Sequence, residues 1–213
     1  MKIAVVGAAG MVGSRVIDEA ASRGHDLVAV FRRTRSADLP PGVIAVEGDA
    51  DDPDRMAALF GGADAIVAAT RPAPGYEDGV VTTTTALLDA AAAAGIRILV
   101  VGGAGPLRNP GDPDRLVVDS PEYVPEQWRS IAAASSTQLD VCRAHDADWV
   151  YLSPPAVLEP GHRSGTYRRG TTTLLADADG TSRISAEDLA VAVVDELENP
   201  RQEKHFTVGQ QDA

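Results

Sequence analysis

The sequence predicts an α/β fold in which a doubly wound parallel sheet is covered by helices. Short, nearly continuous apolar runs alternate with segments of helical spacing, which is the pattern of strands joined by crossover helices. A glycine-rich turn joins the first apolar run to the first helical segment. The chain has 213 residues, and it contains no repeat and no linker long enough to separate two domains, so we expect one domain over 1–213.

The elements follow from these runs in chain order. Strands are predicted at 3–6, 27–30, 43–46, 64–68, 97–101, 149–152 and 206–208. Helices are predicted from Met11 to Gly24 and at 53–60, 80–94 and 126–145, and a last one opens at Ser185. The stretch from Ser185 to Asp188 resembles a capping box. Residues 102–125 and 153–182 are rich in Gly, Pro and polar residues, and we expect them to be irregular loops on the substrate side.

Composition excludes several classes of function. The net charge of −12 disfavours nucleic-acid binding, which needs clustered cations. No apolar stretch is long enough for a membrane helix, and Met1 leads almost directly into the first strand, so we expect neither a membrane anchor nor a signal peptide. Cys142 is the only cysteine, and its helical context favours a small core residue over a nucleophile. Together these observations predict a cytoplasmic protein.

The glycine turn is the most informative motif. It reads Gly7-Ala8-Ala9-Gly10-Met11-Val12-Gly13, directly behind the strand at 3–6. A strand, a glycine turn and a helix in this order point backbone N–H groups and a helix dipole at one place, where a pyrophosphate fits. We therefore predict a dinucleotide site; the alternative is a glycine-rich turn without a ligand. The predicted contacts are Gly7, Ala9, Gly10, Met11 and Val12.

The second predicted strand is followed by arginines where NAD-binding chains carry an acid. Arg32 and Arg33, with Arg35 close by, form a basic cluster in an acidic chain. A guanidinium suits the 2′-phosphate of NADP, whereas a carboxylate suits the 2′-hydroxyl of NAD. The sequence therefore predicts NADPH in preference to NADH. The alternative is that these arginines are solvated surface residues.

With these motifs in place, the chain resembles atypical short-chain dehydrogenases/reductases. It is most similar to the NAD(P)H-binding group of NADH-flavin reductases, relatives of biliverdin reductase B, over essentially its whole length. The resemblance implies a Rossmann-like NAD(P)-binding fold. Four motifs carry it: 7–13, Leu99-Val100-Val101-Gly102-Gly103-Ala104-Gly105, Leu152-Ser153-Pro154-Pro155-Ala156 with Glu159-Pro160-Gly161, and 183–197.

The resemblance also assigns further contacts to the cofactor. It implies that Asp49 hydrogen-bonds the adenine, although Asp49 could instead cap the helix that starts at Pro53. The bare 102–105 loop is implied to lie beside the nicotinamide, where a lack of side chains leaves room for a planar ring, and the turn at 153–156 is implied to cover the carboxamide. The residues concerned are Asp49, Ala68, Ala69, Thr70, Gly102, Gly103, Ser153, Pro154 and Pro155.

The chemistry is less marked in the sequence. The acid/base pair Tyr-x-x-x-Lys of many relatives is missing, because Tyr123 is followed at the fifth position by Gln127. The serine and histidine of biliverdin reductase B-like proteins correspond to Gly105 and Ala156. The resemblance thus favours a reductase that transfers hydride to a flavin, quinone or similar flat acceptor. The alternative is a redox sensor that binds NAD(P)H without turnover. A third hypothesis is an isomerase or dehydratase that retains its cofactor.

Other polar residues give weaker signals. Ser153 could donate a proton or simply end its strand, and His162 fits a surface position. The histidines have no Cys or acidic residues at metal-ligand spacing, so no metal site is predicted. The catalytic residues, the acceptor and the oligomeric state do not follow from the sequence.

Overall fold

The fold is described here from a computed structural model that covers residues 1–33, 39–73 and 75–211. Its strands are β1 (Lys2–Val6), β2 (Asp26–Phe31), β3 (Ile44–Glu47), β4 (Ala65–Ala68), β5 (Ile98–Val101), β6 (Trp149–Ser153), β7 (Val157–Glu159), β8 (Tyr167–Gly170), β9 (Arg183–Ser185) and β10 (His205–Gln210). Its α-helices are α1 (Met11–Ser22), α2 (Pro53–Phe60), α3 (Gly79–Ala94), α4 (Arg129–Arg143) and α5 (Ala186–Glu198). Short 3₁₀ turns lie at Val117–Asp119 and Glu126–Trp128.

Eight strands form one sheet in the order β3-β2-β1-β4-β5-β6-β10-β8, and only β8 runs antiparallel to its neighbour. The strands β2 and β3 follow on one side of β1, and β4 then lies on its other side. The register pairs Val6 with both Val30 and Ala68, so the carboxyl ends of β1, β2 and β4 are level. The predicted doubly wound sheet is confirmed, and its topological switch point lies between β1 and β4, where such folds bind ligands.

Two helical layers cover the sheet. Helices α1 and α5 pack together on one face over the side chains of Ile3, Val5 and Leu99. Helices α2, α3 and α4 cover the other face over Ala4, Ile66 and Tyr151. Most strand residues are therefore buried, which explains the continuous apolar runs in the sequence.

Residues at the ends of three helices form caps. Asp52 caps α2 by accepting a 3.0 Å hydrogen bond from the N–H of Arg55, and Pro53 occupies the first turn. Gly95 ends α3 in the left-handed conformation at φ +68°. Ser185 caps α5 by accepting from the N–H of Asp188 at 3.0 Å. The Asp188 carboxylate is bound elsewhere, so only half of the predicted capping box forms.

Three predictions of local structure are wrong. The run at 43–46 forms β3, but as an edge strand with one neighbour it is largely exposed rather than covered on both faces. The predicted helix at 126–145 begins only at Arg129, after a 3₁₀ turn that follows Pro125. The supposedly irregular 153–182 region contains β7 and β8.

The small sheet formed by β7 and β9 was also missed. These strands have three residues each and pair in parallel, Leu158 with Ile184. Their sequences are half polar, and neither is long enough to show a period. Pairing between segments 26 residues apart, rather than local preference, defines them.

Candidate dinucleotide-binding site

The glycine turn lies at the switch point, between the end of β1 and the start of α1. Gly7 has φ +83°, and a Cβ there would overlap the carbonyl of Ala69, which follows β4. A Cβ on Gly13 would overlap the carbonyl of Gly7 itself. Glycine is therefore required at 7 for the turn and the approach of the β4 loop, and at 13 for packing of the helix on the turn.

The start of α1 offers free backbone donors. Gly10 donates to the carbonyl of Gly7 at 2.9 Å, and the first helical bond runs from Ser14 to Gly10 at 3.0 Å. No side chain caps the helix, and within the described chain no acceptor meets the N–H of Met11 or Val12. An uncapped helix start at the carboxyl edge of a sheet attracts an anion. The pyrophosphate of a dinucleotide fits this cradle in charge and in hydrogen bonding.

The arginines predicted to read the cofactor follow β2 beside this turn. The N–H of Ala8 donates to the carbonyl of Val30 at 3.4 Å, which ties the turn to the end of β2. Arg32 and Arg33 come directly after this strand and are exposed, and neither forms an ion pair with another described residue. Arg35 lies outside the described residues. The two described arginines thus follow the strand whose end lies beside the glycine turn.

Asp49 follows β3 on the same side, and its interpretation as a helix cap is wrong. Asp52 is the residue that caps α2. Asp49 instead accepts a 3.2 Å hydrogen bond from the N–H of Asp51 in a tight turn, and its side chain is exposed. The Asp51 carboxylate in turn accepts a 2.5 Å hydrogen bond from the Thr83 hydroxyl on α3. Asp49 is left accessible at the edge of the crevice.

The segment after β4 closes the other side of the cradle. Ala68 is buried, while Ala69 and Thr70 are half-buried. The N–H of Ala69 donates to the carbonyl of Val6 at 2.9 Å, which continues the ladder beyond the strands. The carbonyl that crowds Gly7 belongs to the same residue. The switch point is therefore made almost wholly of backbone.

The loop after β5 is bare for a reason that the sequence did not show. A Cβ on Gly102 would overlap the phenol of Tyr151, and one on Gly105 would overlap the carbonyl of Ala132 on α4. A Cβ on Gly103 would lie 2.9 Å from that of Ser135. Packing of β5 against Tyr151 and α4 therefore requires glycine at these positions. The sequence had suggested a different reason for the glycines, namely room for a planar ring.

Tyr151 is itself a buried anchor. Its hydroxyl donates to the carbonyl of Ser135 at 2.8 Å and lies 3.1 Å from the Gln138 side chain. Burial raises the pKa of this phenol far above its ordinary value. A neutral tyrosine enclosed in this way holds α4 on the sheet and is not an acid for chemistry in the crevice.

Ser153 ends β6 with its side chain turned into the protein. It is fully buried, and its Oγ lies 2.9 Å from Nε2 of His205 on β10. Burial lowers the pKa of His205 to about 4, so the imidazole is neutral near pH 7. Pro154 and Pro155 are also buried. The Ser153 hydroxyl is therefore engaged with His205 inside the protein. Nothing in the sequence near Ser153 indicated His205.

The two loops that follow β5 and β6 pack on one another. Leu107, Val117 and Leu174 form a small buried cluster, against which Tyr123 and Ala156 are packed. The side-chain amide of Asn109 donates to the Ser120 hydroxyl at 2.8 Å and to Glu122 at 2.6 Å, and this organises the 102–125 loop. The sequence did not reveal the buried cluster, because Leu107 and Val117 come from the 102–125 loop and Leu174 comes from the 153–182 region.

A second segment, residues 160–165, is held by carboxylates. Asp188 accepts hydrogen bonds from the N–H groups of Ser164 and Gly165, both at 2.9 Å, and from the Ser164 hydroxyl at 2.7 Å. Arg163 makes a bidentate contact of 2.7 and 2.9 Å with Glu19 on α1. Glu187 accepts from the N–H of Gly161 and from Arg15, both at 2.7 Å. We call residues 160–165 the strap.

Beside the strap is an open, charged cavity of about 480 Å³ on the outer side of α1. It is lined by Arg15, Asp18, Glu19, Ser22, Arg163 and Glu187. The hydrogen bond from Arg163 lowers the pKa of Glu19, and partial burial raises that of Asp18. His162 on the strap is exposed, as its sequence context predicted. This cavity lies outside the glycine turn and its flanks.

The described residues contain neither a metal-binding cluster nor a helix that could span a membrane. Within residues 1–33, 39–73 and 75–211, no group of three or more His, Cys, Asp or Glu side chains is placed to hold a metal ion. In the same ranges no helix has the length and hydrophobicity needed to cross a membrane. Cys142 is buried, and burial raises its pKa to about 12, which agrees with a core position.

Comparison with known proteins supports the interpretation of the cradle. The model of the NAD(P)H-binding family matches residues 7–200. The uncharacterized protein YwnB of Bacillus subtilis (strain 168) is 34% identical over 211 residues, which cover 98% of both chains.

Two solved structures show the same fold over nearly their full length. One, named "putative epimerase", comes from Bacteroides thetaiotaomicron; it is 34% identical with a TM-score of 0.91 and covers 100% of this chain and 98% of that one. The other, named "putative NADH-flavin reductase", comes from Streptococcus pneumoniae TIGR4; it is 26% identical with a TM-score of 0.88 and covers 99% and 100%. With a family match that includes the glycine turn and six of the eight strands of the large sheet, this chain belongs to the NAD(P)H-binding family and has its Rossmann-like fold.

Proposed function

We propose that this protein is an NADPH-dependent reductase that transfers a hydride to a flavin, a quinone or a similar flat acceptor. The observation that carries the proposal is the uncapped start of α1 at the switch point; the exposed Arg32 and Arg33, which follow the neighbouring strand β2, support it. The name of the Streptococcus pneumoniae structure, which refers to flavin reduction, agrees with it. In this proposal Gly7, Gly10, Met11 and Val12 hold the pyrophosphate through backbone.

The preference for NADPH rests on charge at the end of β2. The described residues after this strand are cationic, and a carboxylate that would accept from a ribose 2′-hydroxyl is missing from 31–33. A 2′-phosphate adds about two negative charges, which a pair of guanidiniums can bind in a bidentate way. Asp49, accessible across the crevice from them, is proposed to meet the adenine.

The choice of a flat acceptor rests on the acid/base groups that the chain offers. Tyr151 is buried and bonded to Ser135. Tyr167 donates to Asp195 at 2.9 Å, and burial with this contact raises its pKa to about 12. The two lysines, Lys2 and Lys204, lie at the amino ends of β1 and β10, on the edge of the sheet opposite the cradle. Tyr76 and Tyr123 lie in the connections after β4 and β5, but no lysine lies at that edge of the sheet to pair with them. A carbonyl substrate would need a tyrosine–lysine pair, whereas a flavin or quinone can take its proton from water.

The bound nicotinamide supplies the hydride. The chain's own residues bind and orient it. Backbone at 102–103 and 153–155 is proposed to flank the ring, and these segments are rigid because Tyr151 and the Ser153–His205 pair hold them from beneath. This division of labour needs no catalytic side chain, which is consistent with the bare edge of the crevice.

The proposal is tested by titrating the purified protein with NADPH and with NADH at one ionic strength. We expect NADPH to bind more tightly, and the double variant Arg32→Ala/Arg33→Ala to reduce the NADPH:NADH affinity ratio by about tenfold or more, because two charge-assisted contacts are lost. Arg143→Ala, which removes an exposed guanidinium on α4, is the matched control. An unchanged ratio in the double variant would refute the role of these arginines.

Turnover separates the reductase from a redox sensor. Steady oxidation of NADPH in the presence of FMN, riboflavin or a simple quinone supports a reductase. Tight binding of NADPH without oxidation across these acceptors would favour the sensor. We further propose a cytoplasmic location and a small-molecule partner rather than nucleic acid or membrane; recovery of the native protein in the soluble cell fraction tests the first.

A further inference from the structure

The rim of the crevice beyond β4 and β5 carries two exposed aromatic side chains. Tyr76 is 75% exposed and Trp128 is 51% exposed. Of the large hydrophobic residues that are exposed in the described chain, these two are the aromatic ones. Each ring leaves a large apolar surface in water that the ring of a planar ligand could cover.

The fold brings the two rings to the same edge. Tyr76 belongs to the connection from β4 to α3, and Trp128 is the last residue before α4 in the connection from β5. Since β4 and β5 are parallel neighbours, both connections leave from their carboxyl ends. The Ser130 hydroxyl on α4 donates to the Glu77 carboxylate at 3.2 Å. This bond joins the residue after Tyr76 to the second residue after Trp128.

The same edge is continuous with the place proposed for the nicotinamide. The pyrophosphate cradle lies at β1, and the arginines proposed for the adenosine half lie beyond it at β2. The nicotinamide half then extends the other way, over β4 and β5. Tyr123, in the loop that leads to Trp128, packs in one small cluster with Ala104 and Ala156, which border that place.

We propose that Tyr76 and Trp128 form a stacking platform for the ring of a planar aromatic acceptor, a flavin isoalloxazine. This inference rests on the proposed reductase function and names the residues that bind its second substrate. Flat aromatic rings stack in offset or edge-on arrangements that add to the burial of their area. The bond between Glu77 and Ser130 holds the two connections together, so that the platform is preorganised.

Fluorescence gives a binding test that does not need turnover. The chain has two tryptophans, and the second, Trp149, is buried in the core. FMN and riboflavin are added separately to protein saturated with NADP⁺, and also to protein without it. Bound flavin accepts excitation energy from either tryptophan, so Trp149 still reports binding in Trp128→Ala. We expect the flavin concentration at half-maximal quenching to be about fivefold to tenfold higher in Trp128→Ala than in the wild type. The same half-maximal concentration in both proteins would overturn the platform.

Steady-state kinetics give the second test. We expect Tyr76→Ala and Trp128→Ala each to raise the KM for FMN by about fivefold to tenfold, with the KM for NADPH changed less than twofold, because the rings contact only the acceptor. Tyr76→Phe keeps the ring and should restore the wild-type KM. Ile44→Ala, at an exposed residue of the distant edge strand β3, is the matched control and should have no effect.

The outcomes separate this inference from the proposed function. Reduction of FMN that the two alanine variants do not alter would overturn the platform and leave the reductase intact. Saturable quenching without oxidation of NADPH would support the platform and refute the reductase. Neither quenching nor turnover would overturn both. Light scattering compares the molar mass of the wild type in solution with that of Trp128→Ala. A lower molar mass for the variant would assign the rings to contact between copies and overturn the platform.

Discussion

The glycine turn and the strap are built in different ways. At the switch point the groups offered to a ligand are backbone groups, and residues within one short segment, Gly7 to Gly13, generate them. At the strap the structure depends on side chains whose partners are far apart in sequence, such as Arg163 and Glu19 or Ser164 and Asp188. The first kind of site follows from a local pattern, and the second exists only once the chain has folded.

The largest effect is expected where backbone alone forms the site. Gly7→Ala would place a Cβ against the Ala69 carbonyl in a left-handed conformation, so both the turn and the β4 loop must move. We expect a loss of about 3 kcal/mol or more of unfolding free energy and no measurable NADPH binding. Denaturant unfolding and a cofactor titration check this result.

Gly24→Ala is the control for that experiment. Gly24 is also left-handed, at φ +79°, but a Cβ there meets open space. It should cost only about 1 kcal/mol and leave the affinity for NADPH unchanged. If Gly7→Ala behaved like Gly24→Ala, close approach of the two loops would not be what requires Gly7.

The next largest effect concerns the strap. Asp188→Ala would leave two N–H groups and the Ser164 hydroxyl without their acceptor in a site where Asp188 is almost fully buried. We expect a loss of about 2–4 kcal/mol and faster proteolysis within 160–165. The affinity for NADPH should change less than threefold, because the cradle does not use this residue. A collapse of NADPH binding would show that the two regions are coupled.

The Ser153–His205 pair gives a pH dependence. In the unfolded chain a histidine titrates near pH 6.5, whereas burial holds the folded pKa of His205 at about 4. Between these values the unfolded state binds the extra proton, so stability falls as the pH falls from about 6.5 to 4 and is unaffected above that window. The full loss is about 3 kcal/mol, from a pKa of 6.5 in the unfolded chain against about 4 in the folded protein.

Urea unfolding of the wild type and of His205→Gln across pH 4–7 measures this contribution. Carboxylates titrate in the lower part of the window, so the difference between the two proteins is the relevant quantity. It should shrink steadily as the pH falls from about 6.5. A constant difference at all pH values would mean that His205 is not held neutral by its surroundings.

The smallest effect is expected at the surface contact of the strap. Arg163 is about half exposed, and Glu19 keeps Arg23 as a second partner at 2.8 Å. Arg163→Ala should therefore cost less than about 1 kcal/mol, and less still at high salt, since exposed ion pairs are weak and screened. Unfolding at about 0.05 M and 0.5 M NaCl tests both statements. Arg115→Ala, at another exposed ion-pair residue, serves as the comparison.

The sequence was most informative where structure is local. Gly7, Gly10 and Gly13 predicted the turn, because few other arrangements require glycine at that spacing behind a buried strand. Gly95 and the Asp52-Pro53 pair marked the ends of helices for equally local reasons. The doubly wound parallel sheet followed from the alternation of runs, since parallel neighbours need crossover helices.

The sequence was uninformative where partners are distant. His205 lies 52 residues from Ser153, and nothing between them signals the contact. Strands β7 and β9 are too short to show a period and exist through pairing with each other. The bare loop at 102–105 was attributed to space for a ring, because Tyr151 and α4 cannot be seen from the loop itself. Long-range packing was the missing information in each case.

The contact between Gly102 and Tyr151 limits how this fold can change. A side chain at 102 and a phenol at 151 compete for the same volume, so a residue other than glycine at 102 requires the ring at 151 to move or to be replaced. Either change gives up the present bond from the Tyr151 hydroxyl to Ser135 on α4. A relative that carries a side chain after β5 must therefore secure α4 by some other bond, and the two changes should be found together.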